Sequence, residues 1–172
     1  MRTMPQIFSP EAHLAVAAGS AWIGESGSGL VVRLNPSGWP ERGFRISPPP
    51  ITVTQAMVDQ EGEVLRSMGP GATAIGSSDV AAELPAFDVL PVFSRISGTS
   101  EGEIWLSEYV PRGSTSIRHW VVDSAAQYVG CVVTDPDFRV MDARNGRLLL
   151  MGRDSFDVPY LVIHEYPQGW RR

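Results

Sequence analysis

The sequence predicts an all-β chain made of repeated four-stranded antiparallel units: two complete units, three strands of a third, and a small helical insertion. Three observations lead there. A tryptophan stands mid-strand with a glutamate three residues on, in both Ser20-Ala-Trp22-Ile-Gly-Glu25 and Glu103-Ile-Trp105-Leu-Ser-Glu108. Short apolar runs flank each copy in the same order, so the chain is a repeat and its residues are read against each other in register. Turn chemistry separates the runs. Arg144-Asn145-Gly146-Arg147 is a two-residue hairpin signal, because Asn and Gly accept the positive φ that such turns require.

In chain order, the first unit reads Ala12 to Ala18, the Trp22 strand, Gly29 to Asn35 and Gly43 to Ser47. Asn35-Pro-Ser-Gly38 is the turn between its last two strands. Pro48-Pro-Pro50 ends the pattern, since proline cannot donate to a ladder. Thr52-Val-Thr-Gln55 then fits a capping box with Thr52 as N-cap. A helix is expected from Val53 to Met68, weakened at Gly62 and stopped by Gly69-Pro70. Gly71 to Ser78 reads as a loop, and Ser78 as the cap of a short helix over Asp79 to Leu84, ended by Pro85. The second unit runs through Val92 to Ser97, the Trp105 strand, Ile117 to Asp123 and Val129 to Val133, with Asp123-Ser-Ala-Ala126 as its last turn. The third comprises Phe138 to Ala143, Arg147 to Met151 and Tyr160 to Tyr166, with Leu149 in the tryptophan place. One domain is expected, divided into a unit at 12–47, an insertion at 48–86, a unit at 87–134 and a partial unit at 138–166. Runs such as Leu148-Leu-Leu-Met151 are apolar on both faces, which suits strands packed between neighbouring sheets.

Composition narrows the function. With 172 residues, 43% of them hydrophobic, the chain can bury a core of its own. A net charge of −5 argues against a nucleic-acid surface, which needs a basic stripe. All 14 cationic residues are arginine, which reads as coding composition rather than arginine chemistry. The single cysteine forbids an internal disulfide. No run has the length of a membrane span, and Met1 to Phe8, followed by Pro10, Glu11 and His13, lacks the apolar stretch of a signal peptide.

No catalytic residue, ligand-binding residue or cofactor can be assigned from the sequence. Trp22 and Trp105 could stack on a ligand, but their repeated position favours burial between sheets. Glu25 and Glu108, at strand ends, read as solvated. His13, His119 and His164 fall in three different units with no metal-ligand spacing, and His119 and Trp120 should point to opposite faces of one strand. Cys131, between valines, reads as a buried, inert thiol. Gly24-Glu-Ser-Gly-Ser-Gly29 matches neither a nucleophile elbow nor a phosphate loop and reads as a flexible hairpin loop. Arg112 and Arg118 could hold an anion, but isolated arginines decide nothing.

The units resemble the closing blades of six-bladed β-propellers of the NHL-like type, found in bacterial, mostly exported proteins. The likeness rests on Gly102-Glu-Ile-Trp105, His119-Trp-Val-Val-Asp123, Val129-Gly-Cys-Val-Val133 and Tyr160-Leu-Val-Ile-His-Glu-Tyr166. Trp105 and Leu149 are spaced by one blade, about 40–45 residues. The insertion beginning Ile51-Thr-Val-Thr-Gln-Ala56 is similar to one common in such proteins. The resemblance implies a periplasmic or extracellular binding module for a protein, peptide or glycan, formed by the C-terminal half of a ring. In that family an N-terminal strand completes the three-stranded last blade, and Gln6-Ile-Phe8 is the segment available for it. Half a ring leaves two blade faces open. A longer gene, two half-rings pairing as a homodimer, or a smaller self-contained assembly would account for them, and the first is favoured. The alternatives in function are a metal-assisted hydrolase or lactonase and a gene fragment without a function of its own. For the hydrolase, the connections carrying Asp135 and Asp137, and Asp154 and Asp157, would project from one propeller face and could gather oxygen ligands for calcium or magnesium.

Overall fold

The computed structural model describes residues 6–67 and 86–165. Eleven strands and one helix follow in order: β1 Ala12–Ala17, β2 Ser20–Glu25, β3 Leu30–Leu34, β4 Pro40–Arg45, α1 Gln55–Ser67, β5 Phe93–Gly98, β6 Ile104–Glu108, β7 Ile117–Val122, β8 Tyr128–Thr134, β9 Arg139–Arg144, β10 Arg147–Arg153 and β11 Pro159–Glu165. They form antiparallel sheets ordered β1-β2-β3-β4, β5-β6-β7-β8 and β11-β10-β9. The all-β class, the small helix and the four-, four- and three-stranded units are as the sequence predicts. No helix among the described residues is long and apolar enough to cross a membrane.

The sheets stack with their first strands adjacent, β5 lying between β1 and β9. Strand alternation sends successive side chains to opposite faces, and the core divides accordingly. Ala15, Ala17, Trp22 and Val31 of the first sheet pack against Phe93, Ile96, Ile104, Leu106, Trp120 and Val122 of the second. On the far side of the second sheet, Trp105 and Val121 pack against Val140, Ala143, Leu148 and Leu150 of the third. Each tryptophan thus faces the sheet that follows it in the chain. Full burial of such a side chain contributes about 1.5–3 kcal/mol or more. The close approach of β1 and β5 depends on Gly98, where a Cβ would overlap the Val16 carbonyl oxygen.

The turns carry out the sequence signals. Asn145 and Gly146 have φ of 52° and 76°, and Arg144 pairs with Arg147. Asn35 Oδ1 accepts from the amides of Ser37 and Trp39, while Gly38 takes φ 82°. Asp123 repeats this pattern with the amides of Ala125 and Gln127, and Ala126 stands at φ 63° in the place of the glycine.

Several expectations are corrected. Thr54, not Thr52, caps α1, its Oγ1 accepting from the Met57 amide at 3.4 Å. Thr52 is committed elsewhere: it bridges Val89, and Val53 N donates to Asp88 O, so the two ends of the insertion are zipped together. The Gln6 to Phe8 segment does not complete the third sheet. Ile7 bridges Ala86, and the Phe8 ring sits edge-on to Tyr109. Cys131 is exposed rather than buried, because it lies on β8, an outer edge strand whose side chains meet one neighbour sheet only. The loop expected at 71–78 and the short helix at 79–84 lie outside the described residues.

Candidate ligand-binding site

Where β5 begins and β6 ends, the second and third sheets part to leave a cavity of about 350 Å³. Ser94 and Arg95 line it from β5, Ser107 from β6, Asp137 from the link into β9 and Arg139 from the start of β9. Arg153, at the end of β10, completes the rim. Of the strands behind the wall, β6 is buried on both faces.

Behind Ser107 lies a buried polar chain. His119, 1% exposed, bridges β6 and β8, with Nδ1 3.0 Å from Ser107 Oγ and Nε2 2.8 Å from Thr134 Oγ1. The Thr134 hydroxyl donates to the Asp135 carbonyl at 3.1 Å. Its oxygen therefore accepts from His119 Nε2–H, and in the neutral ring Nδ1 is left to accept from the Ser107 hydroxyl. Burial lowers the His119 pKa to about 4. Serine and histidine here have the outline of a nucleophile and its base, but an imidazole of so little proton affinity is a poor general base, and it serves instead to tie three strands together.

The innermost strands hold a second feature. His13 pairs with Gly24, Arg95 with Ser107 and Arg139 with Met151. Trp22 pairs with Ala15, Trp105 with Ser97 and Leu149 with Asp142. The partners Gly24, Ser107 and Met151 each stand two residues after the tryptophan place, so His13, Arg95 and Arg139 occupy one register position in the three units. They also sense one another. Burial first, and the positive charge of Arg139 second, lower the Arg95 pKa. Burial lowers that of His13, with Glu11 opposing and Arg95 adding to the effect.

The residues singled out by sequence are placed as follows. Asp154 Oδ1 accepts from the amides of Phe156 and Val158, Asp135 Oδ1 accepts from that of Asp137, and Asp157 pairs with Arg153 at 2.8 Å. These carboxylates build turns, and only Asp137 reaches the cavity. Among the described residues no three His, Cys, Asp or Glu side chains gather as a metal site would require. Glu25 clamps the Gly27 and Ser28 amides at 2.7 Å each, and its hydrogen bonding with Ser28 lowers its pKa. It therefore gives the Gly24 to Gly29 loop a fixed turn. Arg112 is bound to Glu61 through two contacts of 2.7 and 3.2 Å, tying α1 to the loop after β6, so it is not free for an anion. Arg118 is exposed on β7. His119 and Trp120 do face opposite sheets. His164 borders a separate groove of about 490 Å³ beside β8.

Sequence reading missed Arg95 and Arg139. Aligning the units on the tryptophan place could have found them, but the longer β5–β6 connection and a β-bulge in β9 each shift the spacing by one residue relative to His13. Comparison with known protein families, with curated proteins and with solved structures finds no match.

Proposed function

We propose that the chain is a propeller-type binding module, three successive blades of an NHL-like six-bladed ring, which recognises a protein, peptide or glycan at the mouth of its inner strands. The observation that supports this reading is the stacking itself: first strands innermost, the same face forward in every sheet, and a cleft between the second and third sheets at their inner end. Such a mouth is where a ring presents loops and strand ends to a ligand. The likeness to exported propellers makes the periplasm or the cell exterior the expected location.

A second copy of the chain completes the ring in this reading. On the first sheet Leu14, Val16 and Ile23 are exposed on the face opposite Ala15, Ala17 and Trp22. On the third, Leu161 and Ile163 are exposed beside Leu149 and Met151. Paired apolar faces of this kind ordinarily bind a partner. The stacking rule within the chain puts the tryptophan face of each sheet on the back of the next. The open face of the third sheet has the Leu149 side, and the open face of the first has the receiving side, so two copies related by a twofold axis satisfy both.

Light scattering on size-exclusion fractions tests the assembly. A dimer is expected, converted to a folded monomer by Leu161→Asp; a wild-type chain that stays monomeric at high concentration would rule the pairing out. Recognition is tested on peptide and glycan arrays with wild type and Ser94→Trp, which fills the cleft from its rim. Signals lost in the variant support the site, whereas signals that survive in it move recognition elsewhere.

A further inference from the structure

We propose that the mouth of the inner strands is an oxyanion site, taking a carboxylate or phosphate group of the ligand between Arg95 and Arg139. The inference uses the cleft of the binding-module reading and adds the chemistry of what enters it. Three observations carry it.

The first is recurrence: His13, Arg95 and Arg139 hold the same register position on three adjacent inner strands. In a chain with a net charge of −5, two of the three, Arg95 and Arg139, border one cavity. The second is the absence of a bound partner. Among the described residues neither Arg95 nor Arg139 has an ion-pair or hydrogen-bond partner, whereas Arg33, Arg112, Arg147 and Arg153 are each paired with a carboxylate. The two guanidinium groups are exposed on the rim and close enough for the charge of Arg139 to act on Arg95, and an anion between them relieves that repulsion. The third is geometry. Both residues border a cavity of about 350 Å³, within the size range of small-ligand sites. The hydroxyls there are already committed as donors, Ser107 to His119 and Ser94 to the Glu108 carbonyl. The arginines are therefore the donors left to the ligand, and a guanidinium fork matches carboxylate and phosphate oxygens in pairs. Asp137 on the same wall limits the site to one oxyanion rather than a polyanion.

Thermal melting in inorganic phosphate, in acetate and in chloride at matched ionic strength tests the site. The proteins are wild type, Arg95→Gln, Arg139→Gln and, as a control on the exposed surface of β7, Arg118→Gln. Phosphate or acetate at about 10 mM should raise the wild-type melting temperature by about 2–4 °C over chloride. Arg118→Gln should behave as wild type, and either cleft variant should need at least about tenfold more anion for the same shift. A response to phosphate alone assigns a phosphoryl group, and a response to acetate assigns a carboxylate. No shift with either anion in folded wild type overturns the inference, as does a shift that both cleft variants retain. If a neutral ligand still binds wild type and not Ser94→Trp on the arrays while the anions have no effect, the binding-module reading stands and only the oxyanion site falls.

Discussion

Strands β6 and β10 occupy the same place in successive units, yet they live in different surroundings. In β6, Ile104, Trp105 and Leu106 are all fully buried, because a sheet covers each face. In β10, Leu148 and Leu150 are buried against the second sheet, while Leu149 and Met151 between them are only half-buried. Both runs are continuously apolar. Composition therefore expresses what each strand is prepared to bury, and the neighbours decide how much of that is realised.

Truncation is the strongest way to break this comparison. Trp105→Ala removes a ring packed against Val140, Ala143 and Leu148, and should cost about 4 kcal/mol in urea unfolding. Leu149→Ala, at the equivalent position with one face open, should cost about 1 kcal/mol in a dilute sample where the chain is monomeric. If Leu149→Ala costs as much as Trp105→Ala, and more so as protein concentration rises, the open face is covered in solution and the contrast belongs to the isolated chain alone.

The polar interior of the second sheet sharpens the contrast, since the other sheets have no counterpart of the Ser107–His119–Thr134 chain among the described residues. The unfolded imidazole takes up a proton near its ordinary value of 6.5, and the folded one only at about 4. Stability from this group is full above pH 6.5 and falls as pH drops through the window. The loss is complete below about pH 4, at about 3 kcal/mol. His119→Gln should be less stable at neutral pH but should show correspondingly less loss between pH 7 and 4. His13, whose pKa is also lowered, leaves a smaller slope of the same sign in that variant. Parallel pH profiles for wild type and His119→Gln would show that the histidine is not held neutral.

Much of the fold was legible because hydrophobic runs and turn residues act locally. The Trp22 and Trp105 copies, the Asn145-Gly146 hairpin and the break at Pro48-Pro-Pro50 each follow from chemistry within a few residues. What the sequence hid is set by distant neighbours. Cys131 reads as core from its flanking valines, and only the sheet order reveals it on an edge strand. Thr52 has the better capping-box spacing, yet its bridge to Val89, a partner from the far end of the insertion, moves the cap to Thr54. Little of the candidate site was legible for the same reason. The all-arginine composition lowered the weight given to any one arginine, and the longer β5–β6 connection and the β9 bulge displaced Arg95 and Arg139 from simple alignment with His13. Of the acidic residues that did stand out, Asp135 and Asp154 are turn builders whose oxygens are taken up by backbone amides, and Asp157 is paired with Arg153.

The smallest effect tests whether the repeated turns are equivalent in energy as well as in hydrogen bonding. Gly38 and Ala126 hold the same position in the last turns of the first two units, both at positive φ. A Cβ added at Gly38 would meet nothing within 4 Å, so Gly38→Ala probes backbone strain alone. The left-handed conformation costs a non-glycine residue about 1–2 kcal/mol, and the lower unfolded-state entropy of alanine returns about 0.5–1 kcal/mol, leaving a net loss of about 1 kcal/mol. Ala126 already bears that strain, and its methyl packs against the core beside Trp120 and Val122. In Ala126→Gly the relief of strain is offset by the entropy cost and by a lost methyl of about 0.8 kcal/mol, so the change should lie within about 0.5 kcal/mol of zero. A large gain from Ala126→Gly would mean the methyl contributes nothing to packing. A large loss would mean that the core contact, rather than the turn, holds the second unit's outer strands together.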